Sequence, residues 1–307
     1  MASDWYLKTS SNWKLVNNAF VKVSGNWKEI QEGYIKVSGA WKQFYQAFVA
    51  TAFSTATANT TIVVPDGANA IHVQAAVGGG SGGVKGAEYD KAGGESAGAG
   101  GASGGYVSDQ VYSVTQGETL TLTIGAAGAK STGSSYNTTA GNGGNTVLSG
   151  STTGTIFTLT GGVGGSGTGG GVQGPLRSNN PSTAGTATVA ATVLTSGSFK
   201  ESDGSSASIP SATTLDNGPV GSYNSSGNGV AGTNPGNCGG DNCQITGGVG
   251  GASYNGNISG GAGGVASSSN GGDGSRGSGA GGGGAQGQTN GGDGGAGEIV
   301  YRFLRVQ

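Results

Sequence analysis

Proline is scarce, with six residues in 307, and this excludes a collagen-like chain even though 70 residues are glycine. Charge is scarce too. Charged residues make up 10% and the net charge is −2, so the like-charge repulsion that keeps a polar chain disordered is missing. No apolar run approaches the ~20 residues of a membrane-spanning helix. Met1-Ala2-Ser3-Asp4-Trp5 lacks the charged-then-apolar order of a secretory signal, so the expectation is synthesis in a cytoplasm without a signal peptide.

Histidine occurs once, as His72, and cysteine twice, as Cys238 and Cys243. A structural zinc site wants four ligands, so neither a metal nor a cofactor is expected. The cysteines, in Cys-Gly-Gly-Asp-Asn-Cys, read either as a small disulfide loop outside cells or as two free thiols. A Ser-His-Asp triad would have to use His72, and no strand–turn–helix nucleophile elbow accompanies it. Gly78, Gly80 and Gly83 match a dinucleotide-binding spacing after a predicted strand, but no amphipathic helix follows. Gly125 to Ser131 falls short of a phosphate loop, with Ala129 directly before Lys130. The few acids, such as Glu88, Asp90, Glu95, Asp203 and Asp241, read as solvated loop charge rather than a polysaccharide-cleaving pair. No catalytic residue is assigned, and the chain is not expected to be an enzyme.

What is present divides the chain in two. Only Gly25, Gly33, Gly39 and Gly67 precede residue 78; the other glycines crowd into the remainder. The first part repeats itself. Trp13, Trp27 and Trp41 are spaced by 14 residues and each is followed by lysine. Phe20, Tyr34 and Phe48 keep the same period, as do Val21-Lys22-Val23-Ser24-Gly25 and Ile35-Lys36-Val37-Ser38-Gly39. Aromatic and β-branched runs closed by Ser-Gly predict β-hairpins. Alternation puts Phe20 and Lys22 on one face, Val21 and Val23 on the other. A head this small cannot hide Trp5, Trp13, Trp27, Trp41, Phe20, Tyr34 and Phe48, so a docking surface is expected. Its small positive excess, from Lys8 to Lys42, is too slight to argue for nucleic acid.

The second part alternates strands with glycine motifs. Ile62–Val64, Ile71–Val77, Thr119–Ile124, Thr155–Thr160 and Glu298–Leu304 read as strands, with Ile71, Val73, Ala75 and Val77 sharing one face and His72 on the other. Glycine recurs at 161, 164, 167 and 170, at 98, 101 and 104, at 281, 284 and 287, and at 291, 294 and 297. A three-residue step matches the polyproline II helix, which has no internal hydrogen bonds. Its buried amides must then pair with neighbouring helices, and glycine permits that approach. The segments between these motifs are 84–92, 126–140, 172–246, 252–259 and 265–270. Loops on a rigid scaffold usually carry binding, and isolated tyrosines among Ser, Asn and Gly suit adaptable recognition. Tyr89, Tyr136, Leu176, Arg177, Phe199, Lys200, Tyr223 and Tyr254 are the candidate contacts.

The repeated Asn-Trp-Lys and Val-Lys-Val-Ser-Gly units, followed by a glycine-motif body with a closing strand, resemble the long-tail-fibre tip adhesins of T-even-type bacteriophages. The resemblance covers nearly the whole chain. It implies a mainly irregular and β fold: a β-hairpin-repeat attachment domain over 1–50, then a polyglycine II sandwich framed by short β-strands over 51–307. It implies one copy seated on the C-terminal tip of a trimeric fibre protein in the virion, held through aromatic residues that map onto Trp5, Trp13, Trp27 and Trp41. The distal loops would select an outer-membrane protein or lipopolysaccharide and so determine host range. A fibre-assembly chaperone and a surface-polysaccharide depolymerase are the alternatives.

Overall fold

Short runs of Thr, Val, Ile and aromatics separated by Ser-Gly, Asp-Gly and Gly-rich stretches form strands and extended segments, and no helix occurs among the described residues. The structure, a computed structural model, describes residues 6–9, 12–15, 20–30, 32–46, 48–83, 100–132, 137–168, 183–210, 271, 273–274, 279, 281–282 and 290–307.

Six strands come first: Tyr6–Thr9 (β1), Asn12–Leu15 (β2), Phe20–Val23 (β3), Asn26–Glu29 (β4), Glu32–Val37 (β5) and Ala40–Gln46 (β6). They pair antiparallel as β1 with β2, β3 with β4, and β5 with β6. The register is the same each time: Lys8 faces Trp13, Lys22 faces Trp27, and Lys36 faces Trp41. Ser24 and Gly25 join β3 to β4 with φ of 50° and 87°, and Ser38 and Gly39 repeat this at 50° and 85°. Two successive left-handed residues make the tight connection whose twist matches paired strands.

The body contributes Ser54–Ala56 (β7), Thr60–Val63 (β8), Ala70–Val77 (β9), Tyr106–Ser113 (β10), Thr119–Thr123 (β11), Asn137–Thr139 (β12), Thr146–Gly150 (β13), Gly154–Leu159 (β14), Ser166–Thr168 (β15), Ala187–Val189 (β16), Ser198–Lys200 (β17), Ser206–Ser208 (β18) and Glu298–Leu304 (β19). One sheet has the order β10-β9-β19-β7, the other β16-β14-β13-β11-β8. Ile71, Val73, Tyr112 and Phe303 from the first pack with Leu120, Leu122, Leu148, Phe157 and Leu159 from the second in the main core. The opposite face of the four-stranded sheet carries Ala70, Val111 and Leu304, which meet Phe199 and Ile209 beside the β17–β18 pair in a smaller cluster.

Strict alternation along β9 does not hold. Val300 pairs with Ala75 and Tyr301 with Val73, so Gln74 has no partner in β19 and the strand bulges there. The extra residue switches the inward set from Ile71 and Val73 to Ala76, leaving Ala75 only half-buried. Beside it in β10, Asp109 has a φ of 47°, rare for a residue with a side chain. A buried carboxylate ties together the turns at one end of the other sheet. Glu118 accepts bonds from the Thr115, Thr152 and Thr153 amides at 2.6, 3.0 and 2.9 Å and from the Thr153 hydroxyl at 2.6 Å.

Beyond the strands the chain runs on as extended glycine-rich segments. Residues 78–83 are wholly buried, and their amides address three neighbours in rotation. Gly78 and Ser81 donate to Gly105 and Ala102, Gly79 and Gly82 to Gly144 and Gly141, and Gly80 and Gly83 to Gly295 and Gly292. The same three-residue step recurs where Gly128 and Ser131 donate to Gly80 and Gly83, and where Gly294 and Gly297 donate to Gly128 and Gly125. Each segment continues a sheet strand: 78–83 follows β9, 100–105 leads into β10, and 290–297 leads into β19. Gly83 and Gly100 therefore lie at the end of this network away from the sheets.

Candidate functional site

The 14-residue repeat sets a lysine opposite a tryptophan on one face of each antiparallel pair. The Lys22 Nζ lies 5.9 Å from the centre of the Trp27 ring, and Lys36 stands over Trp41 at 6.0 Å. Such a cation over an indole face is attracted by the ring quadrupole, weakly while water has access. Water does have access, since Trp27 is 70% exposed and Trp41 69%. Tyr34 shares the face of Lys36 and is also exposed. The reverse faces, carrying Val21, Val23, Ile35 and Val37, are exposed as well. Among the described residues neither face of these ribbons carries a covering layer, and a two-stranded ribbon alone is marginal in water.

A second cluster lies on the smaller-core face of the four-stranded sheet. Arg302, from β19, donates from Nη1 and Nη2 to the two carboxylate oxygens of Glu201 at 2.7 and 3.1 Å. Its Nε donates to His72 Nδ1 at 3.3 Å. The guanidinium carbon stands 4.5 Å from the Phe53 ring centre and 5.1 Å from that of Phe199. His72 is buried, edge-on to Phe53, with Nε2 3.4 Å from Asp109 Oδ1. That contact lacks hydrogen-bond alignment and acts through charge. Burial and the Arg302 charge hold the His72 pKa below its usual 6.5, while Asp109 and Glu201 pull it upward. Sequence reasoning placed His72 on a polar face; the ring is instead enclosed by residues up to 230 positions away. The signal available was Arg302 itself, the one cation inside the apolar run Ile299 to Leu304.

The expected docking residues separate. Trp27, Trp41 and Tyr34 stand on the ribbons in the open, and Trp13 and Phe20 occupy positions in β2 and β3. Phe48 is partly buried against the main core, where its ring backs onto Gly67. Trp5 lies outside the described residues. Of the expected receptor contacts, Phe199 is buried in the smaller cluster under Arg302, and Lys200 donates to the Ser206 hydroxyl at 3.0 Å. Tyr89, Tyr136, Leu176, Arg177, Tyr223 and Tyr254 lie outside the described residues, as do Cys238 and Cys243. Within the expected 172–246 segment, residues 184–189 belong to the framework: Gly185 donates to Ser103, and β16 pairs with β14. Gly78, Gly80 and Gly83 donate their amides to the carbonyls of Gly105, Gly295 and Gly292.

Comparison with known proteins gives one family. A family model described as a glycine-rich domain matches residues 54–304. No curated protein matches the chain.

Proposed function

The chain belongs to the glycine-rich domain family, and from that premise we propose that it is a receptor-binding adhesin mounted on the tip of a T-even-type phage long tail fibre. The observation that carries this reading is the exposed Trp27 and Trp41 face, capped by Lys22 and Lys36, on ribbons that have no core of their own. Three strand pairs in one Lys–Trp register offer three equivalent contacts, which suits one copy seated on a threefold-symmetric fibre end. Residues 1–50 serve as the attachment domain and 51–307 as the recognition domain.

In this reading the extended segments are polyglycine II helices stacked as a sandwich. The rotation of amides through three neighbours supports it, because a three-residue helix without internal bonds must bond outward in three directions. In this reading recognition falls to the segments 84–99, 169–182 and 211–270, of which 84–99 joins Gly83 to Gly100. These are the proposed contacts with an outer-membrane protein or lipopolysaccharide, and several fibres per particle supply avidity.

The experiment is retention on purified particles. Trp27→Ala with Trp41→Ala is expected to abolish retention while the body stays folded; full retention would remove the docking face. Absence of the wild-type protein from finished particles would turn the reading to a fibre-assembly chaperone with the same head. Exchange of residues 211–246 between two such proteins is expected to move host range, and an unchanged host range would remove that segment from recognition.

A further inference from the structure

We propose that His72, Arg302 and Glu201 form an acid-released latch, which pins the turn between β17 and β18 to the four-stranded sheet at neutral pH and frees it when His72 takes up a proton. Arg302 is the pin. It reaches out of β19 between the Phe53 and Phe199 rings, grips both oxygens of Glu201, and rests its Nε–H on His72 Nδ1. Glu201 opens the turn and also closes it, donating its amide to Ser205 and accepting from Gly204.

The bond from Arg302 fixes the state of the imidazole. Nδ1 must hold a lone pair to accept it, so the proton of the neutral ring sits on Nε2, toward Asp109. A second proton, taken from solvent, can bind only at Nδ1. It removes the acceptor, sets two N–H groups head to head, and places an imidazolium against a guanidinium that does not deprotonate. Arg302 has to withdraw, and Glu201 is bound to it.

The charged groups facing the ring are few. Asp109 from β10 favours the imidazolium, Arg302 from β19 opposes it, and Glu201 from the turn favours it at longer range. Phe53, from the segment before β7, is uncharged, and Lys200 turns away to Ser206. Asp109, with its side chain 60% exposed and Oδ1 3.4 Å from Nε2, stabilises the imidazolium through its charge, which lowers the cost of the released state. The rest of the ribbon is held independently. Ala50 donates to the Lys200 carbonyl at 2.7 Å and Gln307 to the Ser198 carbonyl at 2.9 Å, so acid frees the turn at 201–205 rather than the whole pair. The inference stands without the adhesin reading. If that reading also holds, the freed turn lies between two of the segments assigned to recognition.

The protein's single histidine makes the test clean, because every imidazole resonance belongs to His72. The intact chain is titrated from pH 7.5 to 4.5 by NMR, with amide exchange corrected for its intrinsic pH dependence. The expected result is one imidazole midpoint below 6.5, with the Glu201–Ser205 amides shifting and losing protection at that same midpoint. In His72→Gln, whose side-chain oxygen still accepts from Arg302 but does not titrate, the turn stays protected throughout. The proposal is overturned if the imidazole titrates at or above 6.5, or does not titrate before the chain unfolds. It is equally overturned if the turn amides ignore the imidazole midpoint, or if His72→Gln shows the same acid release. Should His72→Gln not fold, the wild-type titration decides alone.

Discussion

At Gly143 a methyl group would land on the carbonyl oxygen of Gly79, with backbone rather than a yielding side chain on the other side. Gly25 differs: nothing lies near its absent side chain, and its φ of +87° is what favours glycine. Gly143→Ala is therefore expected to destabilise the body by about 2–3 kcal/mol through overpacking, visible as a lowered Tm. Gly25→Ala costs about 1–2 kcal/mol locally through left-handed strain and leaves the body's melting unchanged. Glu118 gives a second residue-scale test. Burial opposes its charge, but the Thr153 hydroxyl and the Thr115, Thr153 and Thr152 amides outweigh it and hold the pKa below 4.5. A carboxyl depressed in the fold adds stability at pH values above the unfolded value and loses it as pH falls through the folded one. Glu118→Gln should cost about 2 kcal/mol at pH 7 and flatten the fall in stability below pH 4.5, as read from denaturant melts.

Elements differ in how far they depend on distant parts of the chain, and this decides what could be read in advance. Leu120 and Leu122 are fully buried between exposed Thr119 and Thr121, so β11 was legible from its own alternation. The three-residue glycine step was equally legible, because each close approach needs glycine at a fixed interval. The bulge at Gln74 was not, since the partner that skips it is Val300–Tyr301. Nor were β16, β17 and β18, each three residues long and fixed by pairing rather than propensity. In the head, Trp27 and Trp41 are exposed on their strand pairs, but Phe48 keeps the same 14-residue period and packs on the body core. The ribbons bear on stability as surface features. Replacing Trp27 and Trp41 by alanine should change the body's melting free energy by no more than about 0.5 kcal/mol each, measured by calorimetry. An excised 1–48 peptide should show no stable strand signal by circular dichroism until its partner is added, since two-stranded ribbons are marginal alone.

For the molecule as a whole, β19 is the strand on which assembly turns. It lies between β9 and β7, pairs with both, supplies Ile299, Tyr301 and Phe303 to the main core, and carries Arg302 to the other face. The segment leading into it, from Asn290, threads the glycine network through Gly294 and Gly297. Ending the chain at Gly297 should abolish the cooperative melt, where loss of a peripheral element would only lower its midpoint. The pairing of His72 with Arg302 spans 230 positions, and the main core closes only when Ile299, Tyr301 and Phe303 arrive across separations of that length. Such topology folds slowly. β19 is also translated after every other described strand, so a ribosome that stalls anywhere upstream releases a body lacking its middle strand. The fold thereby ties its own completion to the last of the described strands: a copy that stops short of β19 has no finished four-stranded sheet and a main core lacking Ile299, Tyr301 and Phe303.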